Sequence, residues 1–310
     1  MWLDLYSIPL LNHKIVMRKN GWPLWLAVVV LLSACRGTQP QQDPLNVDQQ
    51  DTSVQDTRLK KTRSIFFNIP SPMETAALLK KAGAQYNAKI LNDVKNVDRY
   101  TTASQQAVNL GVYGADLSYA SVFDQTQESM FYTATTRKLA DKLGITSAFD
   151  DGTVERMEQN MNDRDSLLNI ISETYWNMDG YLKENGRDNI SALMIAGGWL
   201  EGLYIATQIA KTNDSPELRT RIAEQKLSLG DLIALLDTYE SEDDALVRMR
   251  NDLRALSNLF AAIEVGTDAD PATEQDGVVV IGGPSSASLT DEQLSTLRQR
   301  TLEIRNQLIN

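Results

Sequence analysis

Apolar residues recur along most of the chain at the three- and four-residue spacing of amphipathic helices. Residue pairs that favour helix starts precede several segments: Ser71-Pro72, Ser215-Pro216, Ser228 with Asp231, and Thr290 with Gln293. Glycines that favour helix ends follow others: Gly83, Gly144 and Gly186. The pattern predicts helices over 72–82, 103–122, 126–143, 153–184 with a break near Asn162, 189–211, 216–226, 229–239, 243–264 and 291–309.

Strand-like sequence is confined to one run, Val278 to Ile281, inside an acidic segment. Four residues are too few to form a sheet by themselves. The predicted fold class is therefore all-α: an irregular multi-helix bundle with a flexible N-terminal tether and negligible β structure. The expected parts are a signal peptide at 1–34, a lipidated tether at 35–63, a helical body at 64–264, an acidic linker at 265–289 and a C-terminal helix at 290–310.

The segment 190–206 is apolar almost all round, which is typical of a helix buried at the centre of a protein. Its glycines, Gly197, Gly198 and Gly202, each weaken a helix by about 1 kcal/mol relative to alanine. We therefore expect another helix to approach closely here. Glu201 is the only acidic or basic side chain in the segment, and a buried carboxylate needs a partner if it is to stay charged.

A second segment, 109–125, surrounds Asp116 with small and aromatic residues. If it faces the helix of Glu201, the two form a polar group in an apolar wall: Tyr113, Asp116, Tyr119, Trp199, Glu201 and Tyr204. Two interpretations stay open. These residues line a ligand pocket, or they form a structural network in which tyrosine hydroxyls, amides or an arginine such as Arg137 or Arg164 satisfy the acids.

The N-terminal region has the pattern of an export signal. Arg18 and Lys19 precede an apolar run, Leu24 to Leu32, that fits the roughly 7 to 15 residues of a signal-peptide core and is far shorter than the roughly 20 of a membrane span. The run ends in Leu-Ser-Ala-Cys at 32–35, which is similar to the lipobox of bacterial lipoproteins. We expect Cys35 to be joined to diacylglycerol; the alternative is a short buried helix followed by an incidental cysteine.

The following segment and the charge balance bear on partners. Residues 36–63 are rich in Gln, Asp, Thr and Pro, a composition typical of a flexible tether, and a start at Met17 gives a compact leader. The chain has a net charge of -11, and removal of a leader with three positive and one negative side chain makes it -13. Such a body repels nucleic-acid phosphates. The expected partners are the membrane, through the lipid anchor, and an envelope protein or a small-molecule ligand, with no nucleic acid.

The residue inventory excludes much familiar chemistry. His13 and Cys35 are the only histidine and the only cysteine, so the body lacks imidazole and a spare thiol. The sequence contains no Gly-rich phosphate loop, dinucleotide fingerprint or serine-nucleophile motif. Its acidic clusters lack the spacing of a calcium loop. We therefore expect no cofactor and no metal site.

Three segments carry a family resemblance: Ile-Phe-Phe-Asn-Ile-Pro-Ser-Pro-Met-Glu-Thr at 65–75, Asn-Leu-Gly-Val-Tyr-Gly-Ala-Asp-Leu-Ser-Tyr-Ala at 109–120 and Gly-Gly-Trp-Leu-Glu-Gly-Leu-Tyr at 197–204. Over residues 65–206 the chain resembles uncharacterised helical lipoproteins of diderm bacteria. The resemblance implies export, lipidation and a helical body, and it implies no catalytic role for any residue.

These observations predict a lipid-anchored envelope protein whose body is extracytoplasmic, with the outer membrane preferred to the inner one. The body is expected to act as a binding or scaffold module rather than as an enzyme. The alternative is a metal-independent hydrolase that uses Asp116 and Glu201 as a buried carboxylate pair.

Overall fold

The computed structural model describes residues 80–81, 83–239, 243–264, 273–275, 278–280 and 289–310. The predicted leader, Cys35, the tether, most of the linker and nearly all of the predicted helix 72–82 lie outside the described residues.

The described part is built from α-helices, as the sequence predicted. They are α1 (Ala103–Val122), α2 (Thr126–Lys142), α3 (Asp151–Gln159), α4 (Arg164–Glu184), α5 (Asp188–Ile209), α6 (Pro216–Leu236), α7 (Asp244–Ala261) and α8 (Asp291–Ile309). Short 3₁₀ helices lie at Ala88–Ile90, Val94–Asp98 and Thr146–Ala148. Two three-residue strands, β1 (Thr273–Gln275) and β2 (Val278–Val280), pair antiparallel with Thr273 opposite Val280. The all-α class is confirmed.

Helix ends follow the local signals closely. The Thr290 hydroxyl accepts from the Gln293 N–H at 3.2 Å, and the Gln293 side chain accepts from the Thr290 N–H at 2.9 Å, which completes the predicted capping box. Ser215 likewise accepts from the Leu218 N–H at 3.1 Å at the start of α6. The three predicted C-terminal glycines all have positive φ, a conformation that glycine adopts without strain: Gly83, Gly144 and Gly186.

The prediction of two helices, 216–226 and 229–239, is wrong. Ser228 and Asp231 predicted a second helix start, but Pro216–Leu236 is one continuous helix. The Ser228 hydroxyl donates to the Gln225 carbonyl oxygen at 3.2 Å and accepts from the Trp199 indole N–H at 3.0 Å. The Ser228 hydroxyl, which the local sequence pattern assigned to a helix cap, therefore takes part in a tertiary contact with Trp199 instead.

The central helix is α5, which packs against α1, α4, α6, α7 and α8. Its approach to α1 is so close that a methyl group at Gly197 would overlap the Val108 carbonyl, and one at Gly111 would overlap the Met194 carbonyl. This confirms the predicted close helix contact. Among the described helices, α5 alone is long and apolar enough to cross a membrane, but 89% of its apolar window is buried inside the protein.

An irregular segment before α1 packs against α1, α2 and α8. We call residues 84–100 the strap; it contains the first two 3₁₀ helices and buries Leu91, Asn92, Val97 and Tyr100. The C-terminal helix α8 packs against α1, α5 and α7. Helix α8, which was predicted to lie beyond an acidic linker, thus contributes to the core of the body.

Candidate functional site

The face of α1 that carries Asp116 opposes the face of α5 that carries Glu201. Both side chains are completely buried, at 0% exposure, and they lie close enough for the Glu201 charge to raise the pKa of Asp116. The close helix approach at Gly111 and Gly197 brings the two backbones together, so that these short acidic side chains reach each other across the seam.

The cationic partner of this pair comes from α8. The Arg305 Nε donates to Glu201 Oε2 at 3.0 Å and its Nη2 donates to Oε1 at 2.9 Å, a bidentate arrangement suited to a carboxylate. The guanidinium carbon also lies 4.5 Å from the centre of the Tyr204 ring, at a distance typical of a cation–π contact. The arginines suggested by the sequence lie elsewhere, because Arg137 pairs with Asp151 and Arg164 with Asp165.

The three groups carry a single positive charge for two acids. Burial raises the pKa of Asp116, and the Glu201 charge raises it further, while Arg305 and the Asn92 N–H act in the opposite direction. Burial also raises the pKa of Glu201, but the bidentate contact with Arg305 opposes that effect. Because the guanidinium contacts Glu201 and not Asp116, we expect the pair to hold its proton on Asp116, next to an ionised Glu201 that pairs with Arg305.

Two of the three predicted tyrosines form hydrogen bonds with the strap through their hydroxyls. The Tyr113 hydroxyl donates to the Asp93 carbonyl oxygen at 2.9 Å, and the Tyr119 hydroxyl accepts from the Asn87 N–H at 3.2 Å. Burial raises the pKa of both tyrosines, so both remain protonated at physiological pH. The Asn92 N–H donates to Asp116 Oδ2 at 3.1 Å. The strap backbone therefore bonds to the Tyr113 and Tyr119 hydroxyls and to Oδ2 of Asp116, whereas Asp116 Oδ1 has no hydrogen-bond partner among the described residues.

The structure brings four of the six predicted site residues toward one polar group, places the Tyr119 hydroxyl against the strap and directs Trp199 away. Trp199 lies two positions before Glu201 on α5, and its indole N–H donates to Ser228 of α6. Tyr204 reaches the group through the Arg305 guanidinium. In this group Arg305 pairs with Glu201, and the strap bonds to Asp116 through the Asn92 N–H.

This geometry bears on paired-carboxylate hydrolysis. Retaining and inverting glycosidases hold their carboxyl groups about 5 to 9.5 Å apart, which leaves room for the sugar or a water between them. Asp116 and Glu201 are neighbours, and neither has any exposed surface. This closed geometry differs from the open site of a paired-carboxylate glycosidase.

A solvent-open groove lies apart from this network. It has a volume of about 530 Å³ and runs between the outer faces of α7 and α8, lined by Ala255, Leu259, Ser295, Thr296, Gln299, Arg300 and Glu303. Arg300 bonds across it to Asp252 at 3.3 Å. Within the described ranges, no cluster of three or more His, Cys, Asp or Glu side chains is positioned to hold a metal ion.

Sequence reasoning missed two contributors, Arg305 and the strap. A signal for Arg305 exists, because it follows Thr301 by four positions and precedes Ile309 by four, and all three are buried on one face of α8. An arginine in a buried helical stripe points to a buried acid. The strap has no periodic pattern that indicates its role.

Comparison with protein families, curated proteins and solved structures finds no match to this chain. The resemblance to helical lipoproteins therefore stays a prediction from the three sequence segments.

Proposed function

We propose that the chain is a lipoprotein of the bacterial envelope, anchored through Cys35, whose helical body is a binding or scaffold module. The observation that carries the proposal is the order of features at the N-terminus: Arg18 and Lys19, the apolar run 24–32, and Leu-Ser-Ala-Cys at 32–35. Two or three acyl chains on one cysteine supply stable membrane attachment, since each buried CH₂ contributes about 0.8 kcal/mol. The body then needs no spanning helix of its own.

The use of the buried acids supports a non-catalytic body. Asp116, Glu201 and Arg305 are all buried, Arg305 pairs with Glu201, and the strap bonds to Asp116, so these distinctive polar residues of the core contribute to the fold. Exposed apolar side chains on α2, Met130 at 48% and Phe131 at 53%, offer a surface where an envelope partner could dock.

Metabolic labelling with a palmitate analogue tests the anchor in the full chain. The wild-type protein should incorporate label and fractionate with the envelope, and Cys35→Ser should lose both properties. Ser33→Ala keeps a small residue in the lipobox and serves as the matched control, which should label normally. Equal labelling of Cys35→Ser and wild type, or a soluble unlabelled wild-type protein, contradicts the proposal.

Native mass spectrometry of the protein extracted from its own membrane distinguishes the two roles of the body. A small molecule that stays bound supports a binding module, whereas a stoichiometric protein partner supports a scaffold.

A further inference from the structure

The strap and α8 contact each other at two points, although they lie at opposite ends of the folded body in sequence. The Arg305 Nη2 donates to the Ile90 carbonyl oxygen at 3.2 Å, and the Tyr100 hydroxyl donates to the Ile309 carbonyl oxygen at 3.2 Å. Asn92 strengthens the second contact, because its side-chain amide donates to the Tyr100 oxygen at 3.1 Å. The strap is therefore bound to α8 near its middle, at Ile90, and at its C-terminal end, at Tyr100.

Core side chains hold the middle of the strap. The Tyr132 hydroxyl of α2 donates to the Asn92 carbonyl oxygen at 3.2 Å, and Asp116 of α1 accepts from the Asn92 N–H. The strap has only short 3₁₀ turns of its own, so few backbone hydrogen bonds remain to order it once these contacts are lost.

Charge makes the two elements interdependent. Withdrawal of α8 takes Arg305 away and leaves the Glu201 charge buried without a cation, beside Asp116. Several further titratable groups surround Asp116 from the other packed elements, and each is a tyrosine: Tyr86, Tyr113, Tyr132, Tyr175 and Tyr204. None of these tyrosines replaces the lost positive charge. An unpaired buried carboxylate is costly, and opening of the strap would let water reach it. Loss of α8 therefore favours opening of the strap.

We propose that the strap and α8 form a single latch, closed through Asp116, Glu201 and Arg305, so that the two elements open together while the helices beneath stay folded. By linkage, a change that loosens α8 loosens the strap by the same factor, and the reverse also holds. The latch joins the part of the body nearest the N-terminal region to its C-terminal helix and is independent of the proposed lipid anchor.

Native-state hydrogen exchange of the full chain, read by mass spectrometry or NMR, tests the latch. Leu297→Ala in α8 removes a buried side chain about two helical turns from Arg305 and makes no change in the strap. We expect the Asn92 amide and the amides of α8 to exchange faster by a common factor of at least about 10. The matched control is Leu229→Ala in α6, an equally buried leucine, which should change exchange of the strap less than twofold.

The reciprocal variant is Tyr132→Phe, which removes one hydroxyl bonded to the strap and leaves α8 untouched. It should speed exchange in α8 as much as in the strap, and it carries the test if Leu297→Ala does not fold. Strap exchange that is unchanged in Leu297→Ala, or α8 exchange that is unchanged in Tyr132→Phe, overturns the latch. Equal acceleration of the strap by Leu229→Ala also overturns it, because the strap would then open only when the whole body unfolds.

Discussion

Arg305 donates to both carboxylate oxygens of Glu201, a residue 104 positions earlier in the chain. The exposed fractions of these two side chains are 7% and 0%, so the ion pair is shielded from solvent at the middle of the body. It ties the C-terminal helix to the central helix α5. The pair also sets the protonation of Asp116, because a single guanidinium serves two acids.

Replacement of Glu201 by glutamine should strongly destabilise the protein. The amide breaks the bidentate pair with Arg305 and leaves Asp116, which has no hydrogen bond to the guanidinium, as the nearest acid; breaking a buried pair typically costs about 3 to 5 kcal/mol. Urea unfolding of Glu201→Gln measures this loss. The matched control is Glu303→Gln, whose pair with Arg300 has a carboxylate 46% exposed and should contribute less than about 1 kcal/mol. Equal small losses in both variants contradict a buried ion pair.

Replacement of Asp116 by asparagine should be tolerated. The asparagine oxygen accepts from the Asn92 N–H, and its NH₂ donates to Glu201, so the amide reproduces the protonated carboxyl. At pH 4 the free energies of unfolding of Asp116→Asn and wild type should agree within about 1 kcal/mol. A loss at pH 4 as large as that of Glu201→Gln would show that Asp116 is ionised in the fold.

The pH dependence of stability gives an independent measure of the same proton. The folded pKa of Asp116 is raised, so its contribution is fully present below the unfolded pKa of about 3.9 and is lost as the pH rises toward the folded pKa. Wild type should therefore lose about 1.4 kcal/mol per pH unit relative to Asp116→Asn across this window. Denaturant unfolding at several pH values gives the difference; a slope of opposite sign contradicts the assignment.

Substitution of alanine at two helical glycines should have opposite effects. At Gly197 the added methyl group overlaps the Val108 carbonyl and forces α1 and α5 apart, so Gly197→Ala should destabilise by about 1 to 3 kcal/mol. At Gly180, inside α4, the methyl group meets open space, and Gly180→Ala should stabilise by about 0.5 to 1 kcal/mol. Thermal unfolding of the two variants compares them directly. A stabilised Gly197→Ala would mean that the helices are further apart than described.

Loss of the Ser228 hydroxyl should change the environment of the Trp199 indole and leave the ends of α6 unchanged. Ser228→Ala leaves the buried indole N–H without its acceptor, at a cost of about 1 to 3 kcal/mol. The variant should shift tryptophan fluorescence and lower the free energy of unfolding. Ser295→Ala, at an exposed position of α8, is the control and should stay within about 0.5 kcal/mol of wild type. Unchanged fluorescence in Ser228→Ala argues against the indole contact.

Local signals predicted the helices well because their causes are local. The bounds of α1, 103–122, agree with the prediction, and so do the capped start of α8 and the break between α3 and α4 near Asn162. Burial of α5 also followed from its composition, since a helix that is apolar all round has no face for solvent.

The predictions that failed depend on contacts distant in sequence. Ser228 resembled a helix start because nothing nearby shows that Trp199 uses its hydroxyl. Arg137 and Arg164 were suggested as partners of the buried acids, but the partner of Glu201 is Arg305 of α8. The strap escaped notice because side chains of α1, α2 and α8 order it, and its own sequence carries no repeat.

The separation between Glu201 and Arg305 has a consequence for biosynthesis. A nascent chain that has emerged through α5 contains the most apolar helix of the body and an acid at its centre, but the guanidinium that neutralises this acid is still to be made. Until Arg305 follows, the helix needs water or a chaperone around Glu201. Completion of this core therefore waits for a residue made 104 positions after Glu201.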